Sequence, residues 1–189
     1  VIKLFYKIQE KIPAKLMMVG DGPEKAKAEQ LVNQLGIQDK VIFFGNSNEI
    51  DQILSYSDLF LLPSETESFG LAALEAMAWS VPVISSNSGG LPEVNFDGIS
   101  GYMSNVGDVD DMAIKALKIL ENDEILNQFK ENALNVAKQF DIKNILFDLD
   151  KSNIRPDAEV ELAKILVVLE DYPTMELDIR SHTDCRQTA

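Results

Sequence analysis

Two glutamates flank a glycine at the predicted start of a helix. Glu67 and Glu75 bracket the sequence ESFGLAALE, in which Gly70 follows an apolar run and precedes strong helix formers. The free N–H groups of a first helical turn, with the positive end of the helix dipole behind them, favour an anion such as a phosphate. Gly70 would let a ligand approach the backbone closely. The spacing therefore predicts an anion site with a carboxylate on either side.

These two carboxylates would repel a phosphate, so their expected partners are neutral hydroxyl groups. A sugar nucleotide offers many hydroxyls: Glu67, ahead of the helix, would face the sugar, and Glu75, farther along the helix, would face the ribose. The alternative interpretation is structural. Glu67 would then be an acid favoured by the helix dipole, and Glu75 a solvated helix residue, because charged side chains are mostly exposed.

Helices and strands alternate around this motif over most of the chain. Such alternation predicts an α/β fold, a parallel sheet with helices on both faces. Trp79 and the Met17–Met18 pair fall on apolar faces, so we expect them in the core. The predicted strands are 15–19, 41–44, 58–62, 82–85 and 101–103, and the predicted helices are 2–11, 24–35, 49–55, 71–78, 91–94, 108–122 and 124–139.

Several segments resemble, in order, the donor-binding half of the retaining GT-B glycosyltransferases. They are VGDGPE (19–24), VIFFG (41–45), SDLFLLPS (57–64), the two-glutamate motif, PVI (82–84) and GGLPEV (89–94). The resemblance covers residues 1–140 and implies a donor-binding domain with a Rossmann-like parallel sheet. The sequences ESFGL, GY and VGD are most similar to the branch that transfers N-acetylglucosamine from UDP to L-malate. The implied activity is hexosyl transfer to a small acceptor with retention of configuration.

This resemblance also assigns roles to residues. It implies that Glu67 contacts the donor sugar as the catalytic glutamate and that Glu75 contacts the ribose. The resemblance implies that two basic residues from a preceding loop and an N-terminal acceptor domain complete the cleft, and we expect neither within residues 1–189. We therefore expect the chain to bind a UDP-sugar but to be inactive alone. The donor-binding loop would supply Ser68, Phe69, Gly70 and Leu71, and the turn after the second strand, Gly45 and Asn46, would hold the base.

Residues 141–189 resemble the first half of an OmpA-like peptidoglycan-binding domain. The matching segments are FDLD (147–150), IRP (154–156) and SHTD (181–184), and they imply a partial βαβ unit. Thr183 and Asp184 match the pair whose aspartate helps to hold diaminopimelate in that family. The arginine that completes the family's site has no counterpart, since Arg186 does not match its position. The alternative function is thus a peptidoglycan-binding module or an inactive chimera, with a peptidoglycan peptide as partner.

Composition argues against several other kinds of function. Lys and Arg total 17 against 31 Asp and Glu, and the formal net charge of -14 argues against nucleic acid or an anionic membrane as a partner. Cys185 and His182 are the only residues of their types, so we expect no metal and no cofactor. Neither a signal peptide nor an apolar run of about 18 residues is visible, which predicts a cytoplasmic protein without membrane insertion.

Overall fold

The computed structural model describes residues 1–47 and 49–140. Every helix and strand predicted in this part is present, with ends within two residues of the predicted bounds. The tail elements and the predicted division at residue 140 concern residues outside the described ones and stay predictions. The strands are β1 (Leu16–Val19), β2 (Val41–Gly45), β3 (Phe60–Leu62), β4 (Val83–Ser86) and β5 (Gly101–Ser104), and the helices are α1 (Ile2–Gln9), α2 (Lys25–Leu35), α3 (Ile50–Ser55), α4 (Leu71–Ala78), α5 (Leu91–Val94), α6 (Val109–Leu120) and α7 (Asp123–Ala137).

The five strands form two parallel sheets. β1 pairs with β2, and β3, β4 and β5 form the second sheet in that order. Leu16 lies opposite Val41 in the first sheet, and Val83 lies between Phe60 and Gly101 in the second. The prediction of parallel strands with helices on both sides is confirmed. The sequence suggested one sheet, but within the described residues no ladder joins β1 to β3.

Strand β4 separates two apolar layers. All of its residues are buried. Because successive side chains of a strand point to opposite faces, Val83 packs with Met77 of α4, whereas Ile84 packs with Leu4 of α1 and Met112 of α6. The core of the second sheet therefore lies on both of its faces.

Helix ends follow from local capping. The Asp108 carboxylate accepts a hydrogen bond from the Asp111 N–H at 3.0 Å and begins α6. The Asn122 side-chain oxygen accepts from the Glu124 N–H at 2.9 Å and begins α7. Such caps contribute about 0.5–2 kcal/mol each. Helix α2 ends at Gly36, whose φ of 68° lies in the left-handed region that glycine adopts without a Cβ penalty.

Trp79 departs from the predicted core. It is 44% exposed at the end of α4, and its indole N–H donates to the Asp51 carboxylate at 3.2 Å. Small residues and one methionine, Ala73, Ala76 and Met77, form the buried face of α4 instead. The prediction that Trp79 fills the core was wrong, because the short helix leaves that position beyond its buried face. None of the helices in the described residues is long and apolar enough to cross a membrane.

Candidate functional site

The predicted site residues of the described part lie at the end of β2, on the loop between β3 and α4, and in α4 itself, which contains Leu71 and Glu75. Gly45 ends β2, Asn46 follows it, and Glu67 lies between β3 and α4. In open α/β sheets, ligands bind outside the carboxyl ends of the strands, where the strand order reverses. Here that point lies between β1 and β3, since the chain proceeds outward to β2 on one side and to β5 on the other.

A cleft of about 1170 Å³ opens between β1 and β3. Near the carboxyl ends of the strands its lining includes Gly20, Asn46 and Glu75, and deeper in it is lined mainly by apolar side chains of α1, β1 and β3. Ala72 also lines the cleft, because residues three apart share one face of α4 with Glu75. The structure thus brings together Asn46 and Glu75, two of the predicted site residues.

Glu67 does not line this cleft in the described part of the chain. Its half-buried carboxylate accepts a hydrogen bond through Oε1 from the Gly70 N–H at 3.3 Å. This contact is the structural role expected of an acid at the positive end of a helix. An ionised carboxylate accepts several hydrogen bonds through its two oxygens, so the same side chain can also receive a ligand hydroxyl. Its contact with a sugar stays a prediction.

The first turn of α4 presents backbone donors. Helix geometry leaves its first N–H groups without intrahelical partners, and the first such bond is donated by Ala73 to the Gly70 carbonyl at 2.9 Å. Leu71 at the helix start is 69% exposed. Phe69 anchors the loop, with its ring edge-on to that of Phe140 at 6.4 Å between centroids. An accessible set of donors is therefore held by an aromatic contact.

Gly70 is required by backbone conformation and packing. Its φ is 95°, in the left-handed region. A Cβ at this position would lie 2.9 Å from Val94 Cγ2 and 3.0 Å from Leu91 Cδ2 of α5. These two constraints explain the glycine without a ligand, and the close approach of a ligand to its backbone stays a prediction.

Two serines for which the sequence motifs predicted no role hold the loop between β3 and α4. The hydroxyls of Ser86 and Ser88 both donate to the Ser64 carbonyl oxygen, that of Ser88 at 3.1 Å. Ser86 and Ser88 are buried, and Ser86 ends β4. The path of the chain after β3 is therefore tied to the end of β4.

Two glycines after these serines lie directly against the same loop. The Gly90 N–H donates to the Glu67 carbonyl at 3.2 Å. A Cβ on Gly89 would lie 1.5 Å from that carbonyl oxygen, and a Cβ on Gly90 would lie 2.6 Å from the carbonyl oxygen of Ser68, whose side chain is exposed. The Gly-Gly pair in the sequence was the signal that could have identified this contact. It sets the position of the loop that carries Glu67.

Lys25, which belongs to none of the sequence motifs, supplies a positive charge next to Gly45 at the end of β2. Its Nζ lies 3.6 Å from an Asp21 carboxylate oxygen and 3.8 Å from the position of a Cβ built on Gly45. A cation at this place partly offsets the acidic residues around it for an anionic ligand. The described residues contain no group of three or more His, Cys, Asp or Glu placed to hold a metal ion.

An α/β domain of parallel strands with a cleft at the reversal of strand order belongs to the doubly wound class. Residues 1–136 match the family described as "Glycosyl transferases group 1", and the chain belongs to this family. N-acetyl-alpha-D-glucosaminyl L-malate synthase from Bacillus anthracis is 44% identical over 147 residues, 77% of this chain and 39% of that protein. Sulfoquinovosyl transferase from Arabidopsis thaliana is 30% identical over 146 residues, 74% of this chain and 28% of that protein. The chain therefore spans well under half the length of these relatives.

Solved structures show the same GT-B fold. A variant of S. aureus TarM, in complex with UDP and alpha-GlcNAc-glycerol, has a TM-score of 0.73 and 23% identity over 88% of this chain and 31% of its own. Anabaena HepE with UDP and glucose has a TM-score of 0.68 and 23% identity, covering 89% and 44% of the two chains. The pneumococcal O-GlcNAc transferase GtfA with UDP and GlcNAc has a TM-score of 0.71 and 18% identity, covering 92% and 33%.

Proposed function

We propose that the chain binds a UDP-sugar as the donor-binding part of a retaining glycosyltransferase. The observation that carries the proposal is the cleft at the carboxyl ends of β1 and β3, which Asn46 and Glu75 line. The sugar is N-acetylglucosamine and the acceptor a small hydroxy acid such as L-malate, as the name of the Bacillus anthracis relative suggests. Three solved structures with a similar fold contain UDP, which supports UDP as the nucleotide of the donor.

In this proposal the chain positions the donor and stabilises its charge. The N–H groups of the first turn of α4 and the Lys25 ammonium face the diphosphate, whose negative charge increases as the sugar leaves. Glu75 accepts a hydrogen bond from a ribose hydroxyl, and Glu67 accepts one from the sugar. The matched region is 39% of the Bacillus anthracis relative, and we propose that residues outside this region bind the acceptor. We therefore expect no measurable transfer to L-malate by this chain alone.

Calorimetric titration with UDP and with UDP-N-acetylglucosamine tests the proposed roles. Glu75→Ala should lower the affinity for both ligands about tenfold, since a hydrogen bond contributes about 0.5–1.5 kcal/mol and more when one partner is charged. Glu67→Ala should lower the affinity for UDP-N-acetylglucosamine more than the affinity for UDP. Glu29→Ala removes an exposed acid of α2 that does not line the cleft and serves as the matched control.

Two results would count against the proposal. Identical losses for both ligands in both variants would overturn the separate roles of the two glutamates. Failure of the unaltered chain to bind UDP at millimolar concentration would overturn the donor site itself.

For residues 141–189 we propose a second function, binding of a peptidoglycan peptide that contains diaminopimelate. It rests on the sequence resemblance around Thr183 and Asp184. A thermal-shift response to such a peptide that disappears in Asp184→Asn would support it, provided that the response to UDP-N-acetylglucosamine is unchanged. The same response from the Asp184→Asn variant would contradict it.

A further inference from the structure

Strand β5 is the outermost strand of the second sheet in the described residues. It pairs with β4 on one side, and no strand in this part of the chain pairs with its other side. The unpaired N–H and C=O groups of such an edge are a template for pairing with a strand of another molecule. Charged residues or proline within an edge strand usually prevent this pairing. The sequence GYMS of β5 contains neither, so the strand carries no such protection in its own sequence.

Alternation along β5 shows which of its backbone groups face outward. The N–H and C=O groups of one residue point to the same side of a strand, and this side alternates from residue to residue. The Ser104 carbonyl accepts a hydrogen bond at 2.9 Å from the N–H of Asn87, the residue directly after β4, and therefore faces β4. Its neighbour Met103 thus directs its N–H and C=O groups to the outer edge.

Both outward groups of Met103 are bonded to charged side chains from flanking segments. Its N–H donates to the Asp97 carboxylate at 2.8 Å, and its carbonyl accepts from the Lys115 ammonium at 2.5 Å. Asp97 precedes β5, and Lys115 belongs to α6. The Lys115 ammonium also donates to the Ser104 hydroxyl at 3.3 Å and to the Asp111 carboxylate at 2.5 Å, which fixes its position. The donor and the acceptor that a further strand would need at Met103 are therefore occupied.

The turn before β5 occupies a third group of the same edge. The Gly98 N–H donates to the Gly101 carbonyl at 2.8 Å, and Asp97 forms an isolated parallel bridge with Gly101. The chain thus folds back beside its own strand where β5 begins. An approaching strand would have to displace this turn as well as two charged side chains.

Exposed apolar side chains precede and follow β5. Ile99 is 49% exposed and Val106 is 46% exposed. These side chains would favour contact with an apolar strand if the backbone edge were open. A second copy of the same edge offers such a strand, because a two-fold axis brings identical surfaces together. The partner that the edge fits is therefore another copy of this chain.

We propose that Asp97 and Lys115 close the outer edge of β5 to pairing with a second copy of this chain. They bond the outward donor and acceptor of Met103, and both charges would have to lose these bonds before a strand could approach. Removal of both side chains opens the edge to antiparallel pairing of two copies about a two-fold axis. The inference is independent of the proposed function.

The test uses the full chain and compares the double variant Asp97→Ala/Lys115→Met with the control Glu131→Ala/Lys138→Met. The control changes charge by the same amount at two exposed positions at the end of α7. Sedimentation over a range of micromolar concentrations should give the double variant a dimer fraction at least about fivefold above that of the unaltered chain. The control should match the unaltered chain.

Hydrogen exchange of the Met103 amide tests the closed edge in dilute solution, without association. Asp97→Ala should accelerate this exchange about tenfold, because a bond to a charged acceptor is lost. Asp97→Asn keeps a side-chain oxygen that accepts a hydrogen bond and should retain most of the protection. Since the Asp97 side chain is exposed, this measurement decides the inference even if the double variant does not fold.

Met103→Pro, added to the double variant, locates the association. Proline has no N–H to donate, and it is tolerated in an edge strand where the N–H faces outward. This third substitution should therefore abolish the dimer while the fold is kept, as circular dichroism would show.

Four outcomes would overturn the inference. Unchanged exchange of the Met103 amide in Asp97→Ala would show that the contact does not protect the edge. A double variant that folds and stays as monomeric as the unaltered chain would show that the edge is closed without these side chains. Equal association of the control would assign the effect to altered charge. A dimer that survives Met103→Pro would place the contact on another surface.

Discussion

Replacement of Gly89 by alanine should displace the loop that carries Glu67. A Cβ at Gly89 would lie 1.5 Å from the Glu67 carbonyl oxygen, and such contacts are essentially never closer than 3.0 Å. The two atoms must therefore move apart by about 1.5 Å. Both are backbone or directly attached to backbone, so a side-chain rotation cannot relieve the overlap. The loop from Ser64 to Gly70 is the segment expected to yield, because it is the more exposed partner.

The expected loss in the free energy of unfolding of Gly89→Ala has two parts. The φ of Gly89 is 54°, and a non-glycine residue in the left-handed region costs about 1–2 kcal/mol. Movement of the loop also removes the hydrogen bond from Gly90 to Glu67 and weakens the one from Ser88 to Ser64. At about 0.5–1.5 kcal/mol each, these contacts add about 1–3 kcal/mol.

Gly36→Ala is the matched control for backbone strain. Its φ is 68°, and nothing lies within 4 Å of a Cβ built there, so it carries the strain without the overlap. Thermal unfolding should give a Tm for Gly89→Ala about 2–12 °C below that of Gly36→Ala, at about 2–4 °C per kcal/mol for a chain of this size. Hydrogen exchange should accelerate in residues 64–70 only in Gly89→Ala. Affinity for UDP-N-acetylglucosamine should fall in this variant and be retained in the control.

Equal stability of the two variants would refute the reasoning, because it would show that the overlap is relieved without cost. A stability loss without faster exchange in residues 64–70 would place the displacement elsewhere. Either result would remove the Gly-Gly pair from the determinants of the loop position.

Two further predictions concern polar contacts away from this loop. The Lys115 ammonium donates a hydrogen bond to the Asp111 carboxylate and, together with Ser104, lowers the pKa of that carboxylate below its ordinary value of 3.8. Because the unfolded chain therefore binds more protons below pH 3.8, the free energy of unfolding should decline as the pH falls below 3.8, by less than about 1 kcal/mol since the pair is partly exposed. Urea titrations at several pH values should show that Asp111→Asn loses this part of the pH dependence. Asn95→Leu should lower the free energy of unfolding in urea by about 2–5 kcal/mol, because it removes the buried amide that bonds the Ser85 and Ser100 hydroxyls, and a loss below about 1 kcal/mol would contradict this.

Local elements were predictable because their signals are local. The boundary of α7 follows from the Asn122 cap, and that of α4 from Gly70 ahead of a run of helix formers. The separation of β1 from β3 was not predictable, because strand pairing depends on which edges meet in space and not on alternation along the chain. The exposure of Trp79 was missed for a related reason: an apolar residue type does not reveal where a short helix ends.

The candidate site divides in the same way. Asn46, which follows β2, and Glu75, within α4, line the same cleft, and their contacts with a ligand stay predictions. The hydrogen bond that Glu67 accepts from the Gly70 N–H just ahead of α4 corresponds to the structural alternative that the sequence left open. The bracing by Ser86 and Gly90 was invisible because it joins two loops from neighbouring strands, a contact that no spacing within one loop encodes.

The sequence of β4 also fixes its own alignment against its neighbours. Its first two residues are apolar and its last two are serines, which bond Asn95 and Ser64 respectively. A shift of the strand by one residue would turn each side chain to the opposite face. Ser85 would then enter the apolar layer of Ile84, and both hydroxyls would lose their partners. The two serines therefore determine the register in which β4 ends. That register in turn determines where Gly89 and Gly90 contact the loop that carries Glu67.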